Sequence, residues 1–516
     1  MMSALMPLTE RPSMLPATFR PMTMASGIRC NAARGQDRVA LICGGRSLTF
    51  GQLVDRIERV SALGLGLGLR AGDRAAIVAG NCLEYLEIVD GLADAGIAVA
   101  TPNPRQTPEE LGFILQDCGA RVIFVGVESE ALVRAADASA VERIIVIGAE
   151  YEALLQDARP CSLPEVAEWS AFAIPYTSGT TGKPRGVVLP HRSRVMLGFS
   201  MASEFGCYGP DDRFLAVTPM FHGAGYANVH TSVFFGGTCE ILERFEPELC
   251  LRRLSEGGAT GTFVVPTIFH AIFGLEKPVL DRYRSHSLRA LMSNAAPLPQ
   301  KTKEVIVDYF GEGLLHEMYG STEAGTVCSL RPRDQLIKKQ CVGHACMMNQ
   351  VKLLDDAGQP VKQGEVGELF STGPNLFLGY WNKPEATAAA MRDGWFSAGD
   401  LAWQDADGCY YIVDRKKDMY ISGGVNVYPR EIEELLFRLP GVREAAVIGT
   451  ADDYWGEVGK AFLVLEPGAA LSAEAVIEVC KEKLAGYKVP RHVAFIEALP
   501  RNPAGKVLKT ELRARG

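Results

Sequence analysis

Between residues 176 and 190 the chain reads YTSGTTGKPRGVVLP, an apolar approach that runs into consecutive small and hydroxylated residues and closes on Lys183. Such a run offers main-chain N–H groups, several hydroxyls and one ammonium, which together suit a polyphosphate. The candidate ligands are Thr177, Ser178, Gly179, Thr180, Thr181, Gly182 and Lys183. A Walker loop is rejected, because it would need Gly at 177 and Ser or Thr at 184 ahead of a helix, where the chain has Thr177, Pro184 and the strand-like GVVLP. An isolated Gly/Ser/Thr run is usually a surface turn. Here it follows directly on a buried-type strand and carries a basic residue at its end, which favours phosphate binding.

A chain of 516 residues exceeds one ordinary core, so at least two domains are expected, with a surface between them on which a site can form. At 47% hydrophobic and 22% charged residues, with no low-complexity tract, it has the composition of a soluble globular protein. The net charge of -8 excludes a nucleic-acid binder built on a basic face, and any anionic ligand must be met by local groups. Thirteen cysteines without C-x-x-C pairs suit reduced thiols in the cytoplasm better than disulfides or zinc.

The N-terminal MMSALMPLTERPSMLPATFRP carries Glu10 and lacks the long apolar run of a secretory signal, so it reads as a mobile lead-in. Two stretches free of Asp, Glu, Lys and Arg, 214–239 and 257–275, contain Pro, Gly and His. Those residues favour buried walls over membrane spans, and no integral membrane segment is expected.

The elements that must position the phosphate loop are α/β. Helical segments such as GQLVDRIERVSALGLGL alternate with apolar runs such as RAAIVAG and ARVIFVG, and a second series follows from Ala171 through FAIPY, GVVLP, FLAVTPM, ATGTFVVP and RALMSNAAP. Strand ends of open α/β sheets are where ligands sit. From about Cys341 short β pieces joined by DAG and DADG turns suggest a small β-barrel. After Asp414 a compact α+β tail has its own apolar periodicity. The expected architecture is an N-terminal domain over 1–413, made of two α/β subdomains plus a β-barrel part at about 326–413, and a C-terminal domain over 414–516.

The loop YTSGTTGKPRG closely resembles the phosphate motif of the adenylate-forming family, which includes acyl- and aryl-CoA synthetases and 4-coumarate–CoA ligase. The family's other motifs recur in order: PMFHGAGY at 219–226, SNAAPL at 293–298, YGSTEAG at 319–325, GWFSAGD at 394–400, DRKKDMYISGGVNVYP at 414–429 and NPAGKVLK at 502–509. The resemblance spans roughly residues 30 to 516 and implies a ligase that joins a carboxylic acid to CoA through an acyl-adenylate, using ATP and Mg²⁺. It also implies a C-terminal domain that rotates between the two half-reactions.

Residue by residue, the resemblance assigns the 177–183 loop to the β- and γ-phosphates. Tyr319 is assigned to adenine, with Ala295 and Ala296 beside the nucleotide, Thr322 to the α-phosphate and Glu323 to Mg²⁺. Asp400 is implied for the ribose hydroxyls, Arg415 for a second ribose or phosphate contact, and Lys417 for the hinge. Lys506 matches the adenylation lysine, whose ammonium would bridge carboxylate and α-phosphate. Ser422, Gly423 and Gly424 would let the CoA arm pass close to the backbone.

His222 would stand where carboxylate and thiol meet, and Gly223, Ala224 and Gly225 leave volume for an aryl ring or a medium chain. Amino-acid-activating relatives carry Asp after the Phe of this motif, and Phe221 is followed instead by His222. No carrier domain or carrier attachment motif follows Lys506, which favours free CoA over a carrier protein as acceptor. A non-catalytic ATP-binding interaction protein would be expected to have lost Glu323, Asp400 or Lys506, and all three are present. A homodimer is left open.

Overall fold

Apolar runs and helix signals in the sequence form elements where the chemistry of their ends requires it. The helix Phe50–Gly66 starts on Thr49, whose hydroxyl accepts from the Gln52 N–H while the Gln52 side chain accepts from the Thr49 N–H. Pro108–Cys118 repeats that box with Thr107 and Glu110, and stops at Gly119, whose φ of 62° is left-handed. The computed structural model describes residues 21–178, 184–501 and 507–515, so the N-terminal lead-in lies outside them except for its last residue.

Two sheets form the large part of the molecule. The smaller runs Gly379–Tyr380, Pro184–Pro190, Ala171–Ile174, Ala98–Ala100, Arg74–Val78, Val122–Gly126, Arg143–Ile147, with Tyr176–Ser178 on Pro184–Pro190. The larger begins Arg46–Thr49, Val39–Cys43, Thr238–Ile241, Arg213–Ala216, Gly261–Val264, Ala290–Ser293, Leu315–Ser321. The division differs from the order along the chain. Ala171–Ile174 pairs with Ala98–Ala100 in the first sheet, and Val39–Cys43 pairs with Thr238–Ile241 in the second. Runs of the same apolar pattern fit either sheet, and long-range packing decides between them.

The β pieces after 325 continue the larger sheet. Gly325–Leu330 pairs back on Leu315–Ser321 and forward to Cys341–Ala345, followed by Tyr410–Arg415, Asp400–Gln404, Gly367–Thr372, Trp395–Phe396 and Met391–Arg392. The barrel region is thus an extension of the sheet that carries the site. The tail has a third sheet of Val425–Val427, Tyr420–Ser422, Gly456–Leu465 and Val442–Asp452, with His492–Phe495 parallel to Gly456–Leu465. Helices Pro429–Phe437 and Ala473–Lys483 complete it, and Val427, Ile432, Leu436, Val447, Leu463 and Val476 form its core. Among the described residues no helix is long and apolar enough to cross a membrane.

One polar cluster is sealed inside the main core. Asp90 lies on the helix Glu84–Asp94 and accepts from the Tyr226 hydroxyl, and its Oδ2 has no hydrogen-bond partner. His230 Nε2, 3.9 Å from that oxygen, is 2.8 Å from the carbonyl of Met24 and donates to it. Burial, the largest influence, raises the Asp90 carboxyl from 3.8 to about 8. The unfolded chain therefore releases this proton at lower pH than the native protein, so the carboxyl's contribution to stability is complete below the unfolded value and is lost as pH rises towards about 8. Asp90→Asn removes that dependence. The unfolding free energy of the variant, read from denaturant titrations, is expected to gain on the wild type steadily from pH 5 to 8, at up to about 1.4 kcal/mol per pH unit. A difference that stays constant with pH would contradict the assignment.

Candidate active site

The strands of the larger sheet end at one cleft. Ala290–Ser293 runs out into Asn294, Ala295 and Ala296, and Leu315–Ser321 into Thr322 and Glu323. Ala295 has a φ of 77°, an unusual conformation for a residue with a side chain. Facing these ends is the start of the helix Gly223–Phe234, capped by His222 in extended conformation. His222, Gly223, Ala224, Gly225, Asn294, Ala295, Gly320, Ser321 and Thr322 line one cavity of about 1760 Å³. A Cβ added to Gly223 would lie 3.8 Å from Thr322 Cγ2, so the His222 segment and the Thr322 turn face each other directly.

Two of the glycines have main-chain reasons to be small. A Cβ on Gly225 would come within 2.1 Å of the Pro219 carbonyl, and one on Gly320 would overlap the Gly325 carbonyl. Gly225 borders the cavity, and its lack of a side chain is also required by the close approach of the Pro219 carbonyl. His222 packs at a tilt against Phe221, with ring centroids 4.5 Å apart and ring planes 53° from parallel. Burial, followed by the charge of Arg105, pulls its imidazole down to about 4, so it is a neutral group at physiological pH.

The Thr322–Glu323 turn is held from several directions. Phe377 N–H donates to the Glu323 carbonyl at 2.7 Å, Ala324 N–H donates to Ser321 Oγ at 3.2 Å, and Arg194 donates to the Thr322 carbonyl. Glu323 Oε1 accepts from the Tyr380 hydroxyl at 2.8 Å, and the guanidinium of Arg185, at the edge of the phosphate hairpin, lies 5.6 Å from the Tyr380 ring. Among the described residues no group of three or more His, Cys, Asp or Glu could hold a metal by itself. One carboxylate completed by substrate phosphates is the pattern of Mg²⁺, and Glu323 fits it.

Asp400 is 6% exposed, and both of its oxygens are engaged: Oδ2 accepts from the Tyr319 hydroxyl at 2.7 Å and Oδ1 lies 3.2 Å from Arg415 Nε. Tyr319, Asp400 and Arg415, far apart in sequence, thus meet in one cluster. Burial and the Asp400 charge hold the Tyr319 phenol well above its ordinary value, so it remains a donor.

Other expected residues stand apart. The cavity wall does not include Thr177, Ala296, Tyr319 or Glu323, and among the described residues none beyond Thr326 lines it, so Asp400, Arg415, Lys417, Ser422, Gly423 and Gly424 are outside it too. Gly423 and Gly424 form the turn between Tyr420–Ser422 and Val425–Val427, with φ of 56° and 80°. A two-residue hairpin turn of this hand needs positive φ at both positions, which is itself a reason for the pair of glycines. Thr177 and Ser178 pair with Arg185 and Pro184, whereas Gly179, Thr180, Thr181, Gly182 and Lys183, which connect them, lie outside the described residues. Lys506 does too, and its flanks Arg501 and Val507 form an antiparallel bridge.

Three residues of the site were not singled out by motif: Arg194, Asn375 and Tyr380. Arg194 had a legible signal, since it stands on the stripe 194, 197, 201, 205 of the helix His191–Phe205, otherwise Leu, Met and Phe. Asn375 and Tyr380 act through contacts that no local pattern displays.

The strand-end cavity bordered by His222 and Thr322, the Glu323 carboxylate in the adjoining turn and the Tyr319–Asp400–Arg415 cluster, of which Asp400 is buried, are the arrangement against which the comparisons are set. Among sequence models, that of the AMP-binding enzyme matches residues 28–381, and that of the AMP-binding enzyme C-terminal domain matches residues 431–506. The chain belongs to the AMP-binding enzyme family.

It is 37% identical to a feruloyl-CoA synthase of an Amycolatopsis species, over 92% of this chain and 94% of that one. To a 2-succinylbenzoate–CoA ligase of Geobacillus kaustophilus it is 34% identical, over 95% and 98%. The solved structure of o-succinylbenzoate CoA synthetase from Bacillus subtilis, in complex with its acyl-adenylate intermediate, matches with a TM-score of 0.84 at 28% identity, over 96% of this chain and 98% of that one. The protein is an AMP-forming acid–CoA ligase, using ATP, Mg²⁺ and CoA.

Proposed function

We propose that the acid is aromatic, of hydroxycinnamate or benzoate type, and that it is activated between His222 and Thr322. The observation that carries this reading is the 3.8 Å approach of the Gly223 position to Thr322, which sets the acid end of the cavity against the turn assigned to the α-phosphate. Leu197, Met201, Phe263 and Met318 make the neighbouring wall apolar. Asn228 is satisfied on both sides, accepting from Tyr208 and donating to the Ala224 carbonyl, so it adds little demand for a polar substrate. A medium-chain fatty acid is the second reading, favoured by a cavity of about 1760 Å³, larger than one ring requires.

In the first half-reaction a carboxylate oxygen attacks the α-phosphorus of ATP and diphosphate leaves. Thr177 to Lys183 hold the β- and γ-phosphates, Thr322 the α-phosphate and Glu323 the cation, while Lys506 bridges the two anions. Mg²⁺ supplies charge neutralisation between the phosphates. Tyr319, Ala295 and Ala296 flank adenine, and Asp400 takes the ribose hydroxyls.

In the second half-reaction the CoA sulfur attacks the acyl carbon and AMP leaves. Neutral His222 borders that point without repelling a thiol or trapping a thiolate. A C-terminal domain beginning at 414 turns about Lys417 to bring the 422–424 hairpin to the cavity. Reduced thiols at all 13 cysteines favour a cytoplasmic enzyme.

The reading is tested by acid-dependent pyrophosphate exchange and thioester formation with ferulate, benzoate, 2-succinylbenzoate and octanoate, each with CoA or with a carrier protein. Aryl acids should give the highest kcat/KM, with CoA as acceptor. Preference for octanoate would overturn the aromatic assignment, and acylation of the carrier alone would overturn the acceptor.

Gly424→Val probes the hairpin separately. With φ at 80° a β-branched residue is strained there even though nothing lies within 4 Å of the added Cβ. Thioester formation from supplied acyl-adenylate is expected to fall about tenfold or more while adenylation changes little. Loss confined to adenylation would count against the hairpin's role.

A further inference from the structure

We propose that Arg194 is a positioning residue for adenylation: from inside the core it fixes the Thr322–Glu323 turn and places a permanent positive charge behind the metal-binding carboxylate. This rests on the reading of that turn as the α-phosphate and Mg²⁺ site.

Arg194 is 6% exposed and belongs to the helix His191–Phe205, which follows directly on the phosphate hairpin. Its guanidinium spends its donors on main-chain carbonyls: Nη2 on Thr322 and Nη1 on Asn375 at 3.1 Å, with Ser193 Oγ 3.5 Å from Nη1. Those carbonyls lie in two segments already joined by Phe377 N–H to the Glu323 carbonyl. One side chain therefore ties three pieces together: the helix behind the phosphate loop, the turn bearing Thr322 and Glu323, and the stretch bearing Asn375 and Tyr380. Tyr380 in turn holds Glu323 Oε1.

A structural clamp could have been made with neutral groups. Burying a guanidinium is costly, and burial here pulls its ionisation down to about 10, opposed by the charge of Glu323. At physiological pH it still carries its proton, so the cation is fixed in a low-dielectric wall beside the place where ATP's negative charge must be gathered. Arg194 also borders the cavity, among Leu197, Gly223 and Thr322. Its planar fork reaches two carbonyls in a fixed geometry that a lysine ammonium on a flexible stem does not reproduce.

The experiment uses the full chain with Arg194→Met and Arg194→Lys, and measures pyrophosphate exchange across a Mg²⁺ titration alongside thioester formation from supplied acyl-adenylate. Arg194→Met is expected to lower adenylation on the order of a hundredfold. It should also move half-saturation by Mg²⁺ up by on the order of tenfold, as loss of a group supporting a metal ligand does. Arg194→Lys keeps the charge but does not hold both carbonyls in the same geometry, so it should remain slow and keep part of the Mg²⁺ shift. Thioester formation should change little in either.

Equal loss of both half-reactions, or a Mg²⁺ curve that does not move in Arg194→Met, would overturn the proposal and leave Arg194 as a packing residue. Should Arg194→Met fail to fold, Arg194→Lys decides: selective loss of adenylation supports the role and equal loss refutes it. A wild-type chain that exchanges pyrophosphate with no acid would instead bring down the functional reading, and this inference with it.

Discussion

Lys506→Ala is expected to lower acyl-adenylate formation by about two to three orders of magnitude, the cost of removing a charge aimed at the transition state. The attacking carboxylate and the α-phosphate are both anions, and a lysine ammonium between them is worth most when the new bond begins to form. The same variant should convert supplied acyl-adenylate and CoA to thioester at close to the wild-type rate, because that step joins a thiol to a neutral acyl carbon. Quench-flow measurement of the two half-reactions gives the answer. Equal loss in both would remove the assignment.

The second large effect is expected at Glu323. Glu323→Gln keeps a carbonyl oxygen for the Tyr380 hydroxyl, which now bonds the carboxylate at 2.8 Å, so the turn should keep its shape while losing its charge. Adenylation should fall on the order of a hundredfold, with the Mg²⁺ dependence displaced to higher concentration, since a hard cation prefers an anionic oxygen. Retention of wild-type Mg²⁺ half-saturation would show that the cation is held elsewhere. Glu323→Gln and Arg194→Met remove opposite charges on either side of one peptide, and the double variant reports whether they act as a unit.

Much of the candidate site stands in the sequence as short runs of like chemistry, of which the structure brings Tyr319 to Asp400 and the Gly223 position to Thr322, while 179–183 and Lys506 lie outside the described residues. The hydroxyl-rich loop, the YGSTE turn and the Asp400 segment each present residues whose types announce a phosphate, a cation or a sugar. The alternation of helix and strand and the separate core of the tail were equally readable from periodicity. What could not be read was which sheet a strand joins. Ala171–Ile174 opens the second series along the chain yet completes the first sheet, because neighbouring strands, not its own residues, decide the pairing. Small residues were ambiguous for a similar reason. Gly225 suggests room for a substrate and does border the cavity, but its missing side chain also answers to the nearby carbonyl of Pro219. The stripe of the helix His191–Phe205 marks Arg194 as an inward charge, but not its partners, because these are carbonyl groups, which every residue carries.

The exchange of strands between the two sheets also sets a timetable for assembly. Leu41 lies opposite Cys239 in the sheet that carries the site, so the strand Val39–Cys43 leaves the ribosome long before its partner has been made. Arg46–Thr49 covers one edge at once, but until Thr238–Ile241 is made the other edge of this five-residue strand must be kept from other strands. Pairings so remote along the chain fold slowly, and truncation anywhere before Ile241 deprives that early strand of the edge it needs.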